Sequence, residues 1–226
     1  MKKIITIAAF VLFSTVSANA VDFGGLSITA GIASNTSVWG ASATETSSNE
    51  SGVSDRVNKE HGVFQDGFQS YFGEIGIGRF VSLGYEHTAD SITTPTNVNS
   101  SSGGTDTASV SVDFNDLNTT YVKLNIPGGM YLKYGHVETA LDIKEVMKSG
   151  NTYNNVSVDG TSTGIGYQRL LGDTRMGIRF ETNYLDFDNT ESSNGVASSG
   201  NRNIIKATNI EGISAKLALT VTLGRR

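Results

Sequence analysis

The chain has 226 residues, a formal net charge of −5, no cysteine, 26 glycines and two prolines. The lack of cysteine excludes disulfides and thiolate metal sites, and the acidic balance argues against nucleic acid as a partner. Long helical patterns are missing, so the length suits one all-β domain.

Residues 1–20, MKKIITIAAFVLFSTVSANA, form a secretory signal peptide. Lys2 and Lys3 are its charged head, Ile4 to Phe13 its apolar core, and Ala18-Asn19-Ala20 a small-x-small cleavage site. The core is too short for a helix that crosses a bilayer, which needs roughly 20 apolar residues. The mature domain, 21–226, then carries 15 basic and 22 acidic residues, a net charge of −7. No later segment resembles a transmembrane helix, which leaves a secreted, periplasmic or outer-membrane protein.

A first strand is expected over 25–41, where Leu26, Ile28, Ala30 and Ile32 alternate with Ser27, Thr29, Gly31 and Ala33. Residues 42–65, rich in Ser, Thr, Asn and acids, read as a long polar loop. The second strand, 68–80, sets Tyr71, Ile75 and Ile77 against Phe72, Glu74 and Gly76. The third, 82–90, sets Leu83 and Tyr85 against Gly84 and Glu86. A second polar loop, 91–107, holds Pro95.

The fourth and fifth strands form a hairpin. Val122, Leu124 and Ile126 alternate with Tyr121, Lys123 and Asn125, and Met130, Leu132 and Tyr134 alternate with Tyr131, Lys133 and Gly135. Pro127-Gly128-Gly129 supplies the turn, since Pro donates nothing to a ladder and Gly accepts positive φ. Residues 140–154 read as a third loop, whose ALDIKEVMKSG suits a short helix or a strand extension equally. The sixth strand covers 155–170, a tight turn 171–173, and the seventh strand 174–187. In the seventh, Met176, Ile178, Phe180 and Tyr184 face away from Arg175, Arg179, Glu181 and Asn183. After a fourth loop, 188–203, the last strand over 204–223 has the clearest alternation, with Ile213, Leu217 and Leu219 against Ser214, Lys216 and Thr220.

Eight strands thus alternate four long polar connections with three tight ones. That asymmetry suits an eight-stranded antiparallel up-and-down transmembrane β-barrel with long loops outside the cell and short turns in the periplasm. A soluble Greek-key sandwich is the competing reading, but it does not require connections of alternating length. The barrel inverts the usual arrangement: apolar side chains face lipid and the polar face lines the lumen. Glu74, Glu86, Lys123, Lys133, Arg175, Arg179, Glu181 and Lys216 all share the inward face, so a buried network of ion pairs is expected to close the lumen. Tyr71, Tyr85, Tyr134, Tyr167, Phe180 and Tyr184 lie on the outward face as candidates for interfacial aromatic girdles.

With its signal, its alternating strands and the final strand ISAKLALTVTLGRR, the chain resembles the small outer-membrane β-barrel superfamily of OmpA-, OmpX- and OmpW-type barrels. In style it is most similar to the glycine-rich barrels of marine alphaproteobacteria. The resemblance implies residence in the outer membrane of a Gram-negative bacterium, contact with its lipid and recognition by the outer-membrane assembly machinery. The family's last strand typically ends in an aromatic residue. This chain ends at Gly224-Arg225-Arg226, one residue short of the next outward position, so less efficient assembly is expected.

No cofactor, metal site or catalytic residue is expected. His61, His87 and His136 are the candidates for a lipid-modifying activity, but no serine is singled out beside them. Asp186-Phe187-Asp188-Asn189 lacks the ligand spacing of a calcium loop. The leading expectation is a monomeric structural or interaction barrel whose loops face an extracellular ligand or phage. A narrow pore for small solutes and a lipid-modifying enzyme are the alternatives.

Overall fold

The computed structural model describes residues 25–48, 54–100, 107–146, 152–195 and 202–224. Signal residues 1–20 lie outside this set, as do Arg225 and Arg226. The described residues hold β1 (Leu26–Ser48), β2 (Ser54–Ile77), β3 (Val81–Thr88), β4 (Ile92–Thr93), β5 (Asn97–Ser100) and β6 (Thr107–Asn125). They continue with β7 (Met130–Val146), β8 (Val156–Leu170), β9 (Met176–Phe187), β10 (Thr190–Ser193) and β11 (Arg202–Gly224).

Eight of these strands close a ring in the order β1-β2-β3-β6-β7-β8-β9-β11, with β11 pairing back onto β1. Every pairing is antiparallel. The short strands lie off this ring: β4 and β5 pair with β6, and β10 with β11. Following partners from Leu26 through Ile77, Val81, Leu124, Leu132, Ile165, Thr182 and Ala215 returns to β1 at Thr36, ten residues further along. A stagger of this kind tilts the strands by roughly 35–45° and leaves an interior that side chains can fill.

Alternation decides which side chains enter that interior. Leu83, Leu132, Leu217 and Leu219 stand exposed on the outer wall, while Lys123 and Arg179 are almost wholly buried within. Exposed leucines would be costly in water, and in lipid they are at home. The three tight turns, after β2, β6 and β8, gather at one end. Gly128 and Gly129 take φ of 96° and 95° there, a region that β-carbons disfavour.

At the other end the strands continue past the apolar belt, which corrects several expectations. Residues 42–48 and 54–65 form no loop, because β1 and β2 run on as a paired ladder up to Ser48 and Ser54. Above a bilayer, backbone hydrogen bonding holds such a ladder, and Ser and Thr can occupy both faces without a buried apolar set. Of the two readings of 140–154, the strand extension is the one adopted as far as Val146. There Leu141 points inward and pairs with Phe114. The loops expected at 91–107 and 188–203 contain β4, β5 and β10. Asp116 and Asn209 adopt left-handed φ of 51° and 52° near shifts in register, a conformation that Asp and Asn tolerate better than most residues.

Candidate functional site

The interior is built in two layers. The first is ionic and draws on side chains from most of the ring. Glu74 on β2 accepts a bidentate pair of hydrogen bonds from Arg179 on β9, at 2.7 Å each. It also pairs with Lys123 on β6 and accepts the Tyr121 hydroxyl at 2.9 Å. Gln168 on β8 presents its Oε1 to Arg179 Nη2 at 2.7 Å. Beside this group, Lys133 on β7 and Lys216 on β11 both reach Glu181, at 2.7 and 2.8 Å, and both reach Glu86 on β3. Tyr131 donates to Glu181 at 2.6 Å. Ser70 donates to Glu86 at 2.7 Å and accepts from Asn35 of β1 at 3.0 Å. All eight strands of the ring therefore contribute to this polar layer, in two hydrogen-bonded groups centred on Glu74 and on the Glu86–Glu181 pair. Burial of so many charges is tolerable only because nearly every lone pair and proton finds a partner.

The structure brings together Glu74, Glu86, Lys123, Lys133, Arg179, Glu181 and Lys216. Arg175 shares their parity and lies half-buried in the turn before β9, nearer the tight-turn end. Parity chooses the wall on which a side chain stands, and distance from the turn chooses its height.

Three aromatic rings missing from the sequence expectation brace the charges. Arg179 lies over Phe72 at 4.3 Å, Lys133 over Tyr121 at 4.6 Å and Lys123 over Tyr131 at 5.1 Å. Cations over ring faces gain from the aromatic quadrupole, most strongly when desolvated. Each ring lies against a glycine of the neighbouring strand: Phe72 on Gly31, Tyr121 on Gly84 and Tyr131 on Gly166. A Cβ at Gly166 would collide with the Tyr131 ring and stand 2.6 Å from the Phe180 carbonyl. Gly166→Val is therefore expected to cost about 1–3 kcal/mol through overpacking, read from urea unfolding of the refolded barrel. The available signal was the shared parity of Tyr121 with Lys123 and of Tyr131 with Lys133.

The second layer is apolar and lies inside the barrel towards the long-connection end. Trp39, Phe68, Ile92, Phe114, Leu117, Val137, Leu141, Val158, Leu185, Phe187 and Ile210 form one buried cluster. Trp39 stacks on Phe114 with ring centroids 5.7 Å apart and donates its Nε1 hydrogen to Ser37 at 2.6 Å. Between the layers is a cavity of about 20 Å³, lined by residues including Glu86, Lys133, Asn183, Lys216, Phe68 and Leu185. That volume suits a single water.

The six outward aromatics all stand on the outer wall. Tyr85, Tyr134, Phe180 and Tyr184 are exposed, and Tyr71 and Tyr167 are half-buried. Tyr85 donates its hydroxyl to Asn118 Oδ1 at 2.8 Å, which also lies 2.8 Å from His87 Nδ1. Beyond the belt, a hydrogen bond from Lys144 holds the Asp113 carboxyl below the usual aspartate range. His61 Nδ1 lies 2.8 Å from Ser42 Oγ, and His136 Nε2 lies 3.4 Å from Asp159. Among the described residues, no hydrogen-bonded set joins a serine, a histidine and a carboxylate. A larger cavity of about 300 Å³ sits near the register shift of β6, lined by Asp90, Ser91, Asn115, Asp116 and Asp142 among others.

No family model matches the chain, and no curated protein matches it. Among solved structures, the outer membrane protein OprG from Pseudomonas aeruginosa superposes with a TM-score of 0.52 at 11% identity, over 85% of this chain and 96% of that one. The outer membrane protease OmpT from Escherichia coli gives 0.45 at 12% identity, over 92% and 100%. Neisserial surface protein A gives 0.35 at 8% identity, over 82% and 96%. At such identities the likeness to OprG is one of fold. Together with the closed ring, the apolar belt and the charged interior, it makes this chain an eight-stranded outer-membrane β-barrel.

Proposed function

We propose that the protein is a structural and surface-interaction barrel that anchors in the outer membrane and carries its long connections into the extracellular space. The observation that supports this most is the double closure of the lumen. A layer of ion pairs spans the interior, an aromatic and aliphatic cap lies above it, and the cavity between them is about 20 Å³. A conducting path would have to displace both layers, which differ in chemistry and share no single gate.

On this reading the belt meets lipid, the signal and final strand engage export and assembly factors, and the strand tips meet an extracellular ligand or phage. The charged side chains of the lumen act as a plug rather than a filter, and the outward tyrosines act as interfacial anchors. An OmpA-like, non-enzymatic monomer is the finer assignment we favour. In planar bilayers at molar salt, the refolded protein should produce no conductance steps above the bare membrane. Discrete openings would favour the narrow pore instead. Expression in a Gram-negative host should leave the mass of lipid A unchanged, and a shifted mass would favour a lipid-modifying enzyme.

A further inference from the structure

The outward face of β7 changes character as it leaves the belt. Met130, Leu132 and Tyr134 are followed at the same parity by His136 and Glu138. On β8, Glu138 is directly opposed by Asp159, and His136 by Thr161. One donor atom from each of His136, Glu138 and Asp159 lies within 4.8 Å of the other two, and all three side chains are exposed. His136 Nε2 is already 3.4 Å from Asp159 Oδ1.

Two features distinguish this group from scattered surface charges. The first is rigidity: the donors stand on adjacent strands of a closed barrel, where the ladder sets their spacing. The second is an electrostatic imbalance. Glu138 and Asp159 are like charges placed directly opposite each other, an arrangement that destabilises a sheet unless something bridges it. Their surroundings add negative charge. Asp186 on β9 opposes Thr161, and the backbone of Asp188 donates to the Asp159 carbonyl at 2.8 Å. Lys144, further along β7, is engaged by Asp113.

We propose that His136, Glu138 and Asp159 form a divalent transition-metal site on the outer wall of the barrel, just beyond the apolar belt. One imidazole and two carboxylates suit zinc or another borderline first-row dication, whereas soft copper(I) prefers thiolate and thioether ligands. An all-oxygen calcium or magnesium site would make no use of the imidazole. All three donors approach from one wall, so the remaining coordination positions face away from the protein, as in sites with three protein ligands and an open fourth position. Bound metal would clip β7 to β8 at the rim and neutralise the opposed carboxylates. Neighbouring strands, not a local motif, assemble this set, and for that reason no ligand spacing along the chain announces it.

The test uses the full chain refolded in detergent and stripped with chelator. Zinc is then titrated by calorimetry, and bound metal is counted after dialysis. One equivalent per chain is expected. Affinity should fall at least tenfold in His136→Ala and in Glu138→Gln, and should persist in His61→Ala. These side chains stand on the wall outside the packed interior, so heat-modifiable gel migration should show each variant folded. Asp159→Asn provides a third ligand variant should either of the first two fail that check. Replacement of zinc by cobalt(II) should give a visible absorption band that disappears in the same variants. Absence of stoichiometric binding overturns the proposal. So does binding that is unchanged in the ligand variants, or binding lost with His61.

Discussion

Glu74→Leu should destabilise the barrel by about 3–5 kcal/mol, the usual consequence of stranding a buried charge by removing its partner. Glu74 is the only carboxylate that meets both Arg179 and Lys123 among the ion pairs described. Leucine fills a similar volume but accepts no hydrogen bond. Arg179 would keep Gln168 Oε1, a neutral acceptor, and Tyr121 would lose the acceptor for its hydroxyl. The measurement is urea unfolding of the refolded protein in detergent. Arg175→Ala is the comparison and should shift the midpoint far less, because Arg175 is only half-buried and lies in the turn before β9. Adding Arg179→Met to Glu74→Leu should recover part of the loss, since an apolar pair replaces a broken ionic one and mutations at contacting residues are not additive. A Glu74→Leu protein as stable as the parent would show that the layer contributes nothing to holding the strands together.

Leu132→Arg should cost about 2–4 kcal/mol when the protein unfolds from lipid, the range for a cation on the lipid face near the bilayer midplane. Leu132 is exposed on the outer wall and pairs with Leu124 and Ile165. Val63→Arg is the matched control. Val63 is 78% exposed, but it lies on the part of β2 that extends past the belt. It should tolerate the charge with no measurable effect. The contrast separates burial in lipid from exposure to water, since a soluble sheet would accept both substitutions at its surface. Equal effects at the two positions would rule out a bilayer around Leu132.

Much of this organisation was legible because strands report themselves with a period of two. The ring of eight, the tight turns and the inward parity of Lys123, Lys133 and Lys216 all follow from alternation against lipid. Outside the bilayer that signal disappears. Residues 42–46 carry Ser and Thr on one face and Ala and Glu on the other, so their ladder leaves no apolar stripe and reads like a loop. Inside the barrel, alternation identifies a face but not what it meets. Trp39 shares the inward wall with Asn35 and Ser37, and nothing local shows that it enters an apolar cap. Arg175 has the inward parity yet sits in the turn before β9, because height is set by where the turn ends and not by parity. The rim ligands on β7 and β8 depend on register between strands, which one strand's sequence does not encode.

The partners in the polar layer are remote in the chain: 105 positions separate Glu74 from Arg179, and 130 separate Glu86 from Lys216. A sheet that has zipped through β9 but still lacks β11 holds Glu86 and Glu181 without Lys216, and its open edge faces hydrocarbon. The second cation for each of these two carboxylates therefore arrives only with the last seam. Halfway insertion gains little, and the electrostatics act as a proofreading step that favours a completed cylinder over any arc of it.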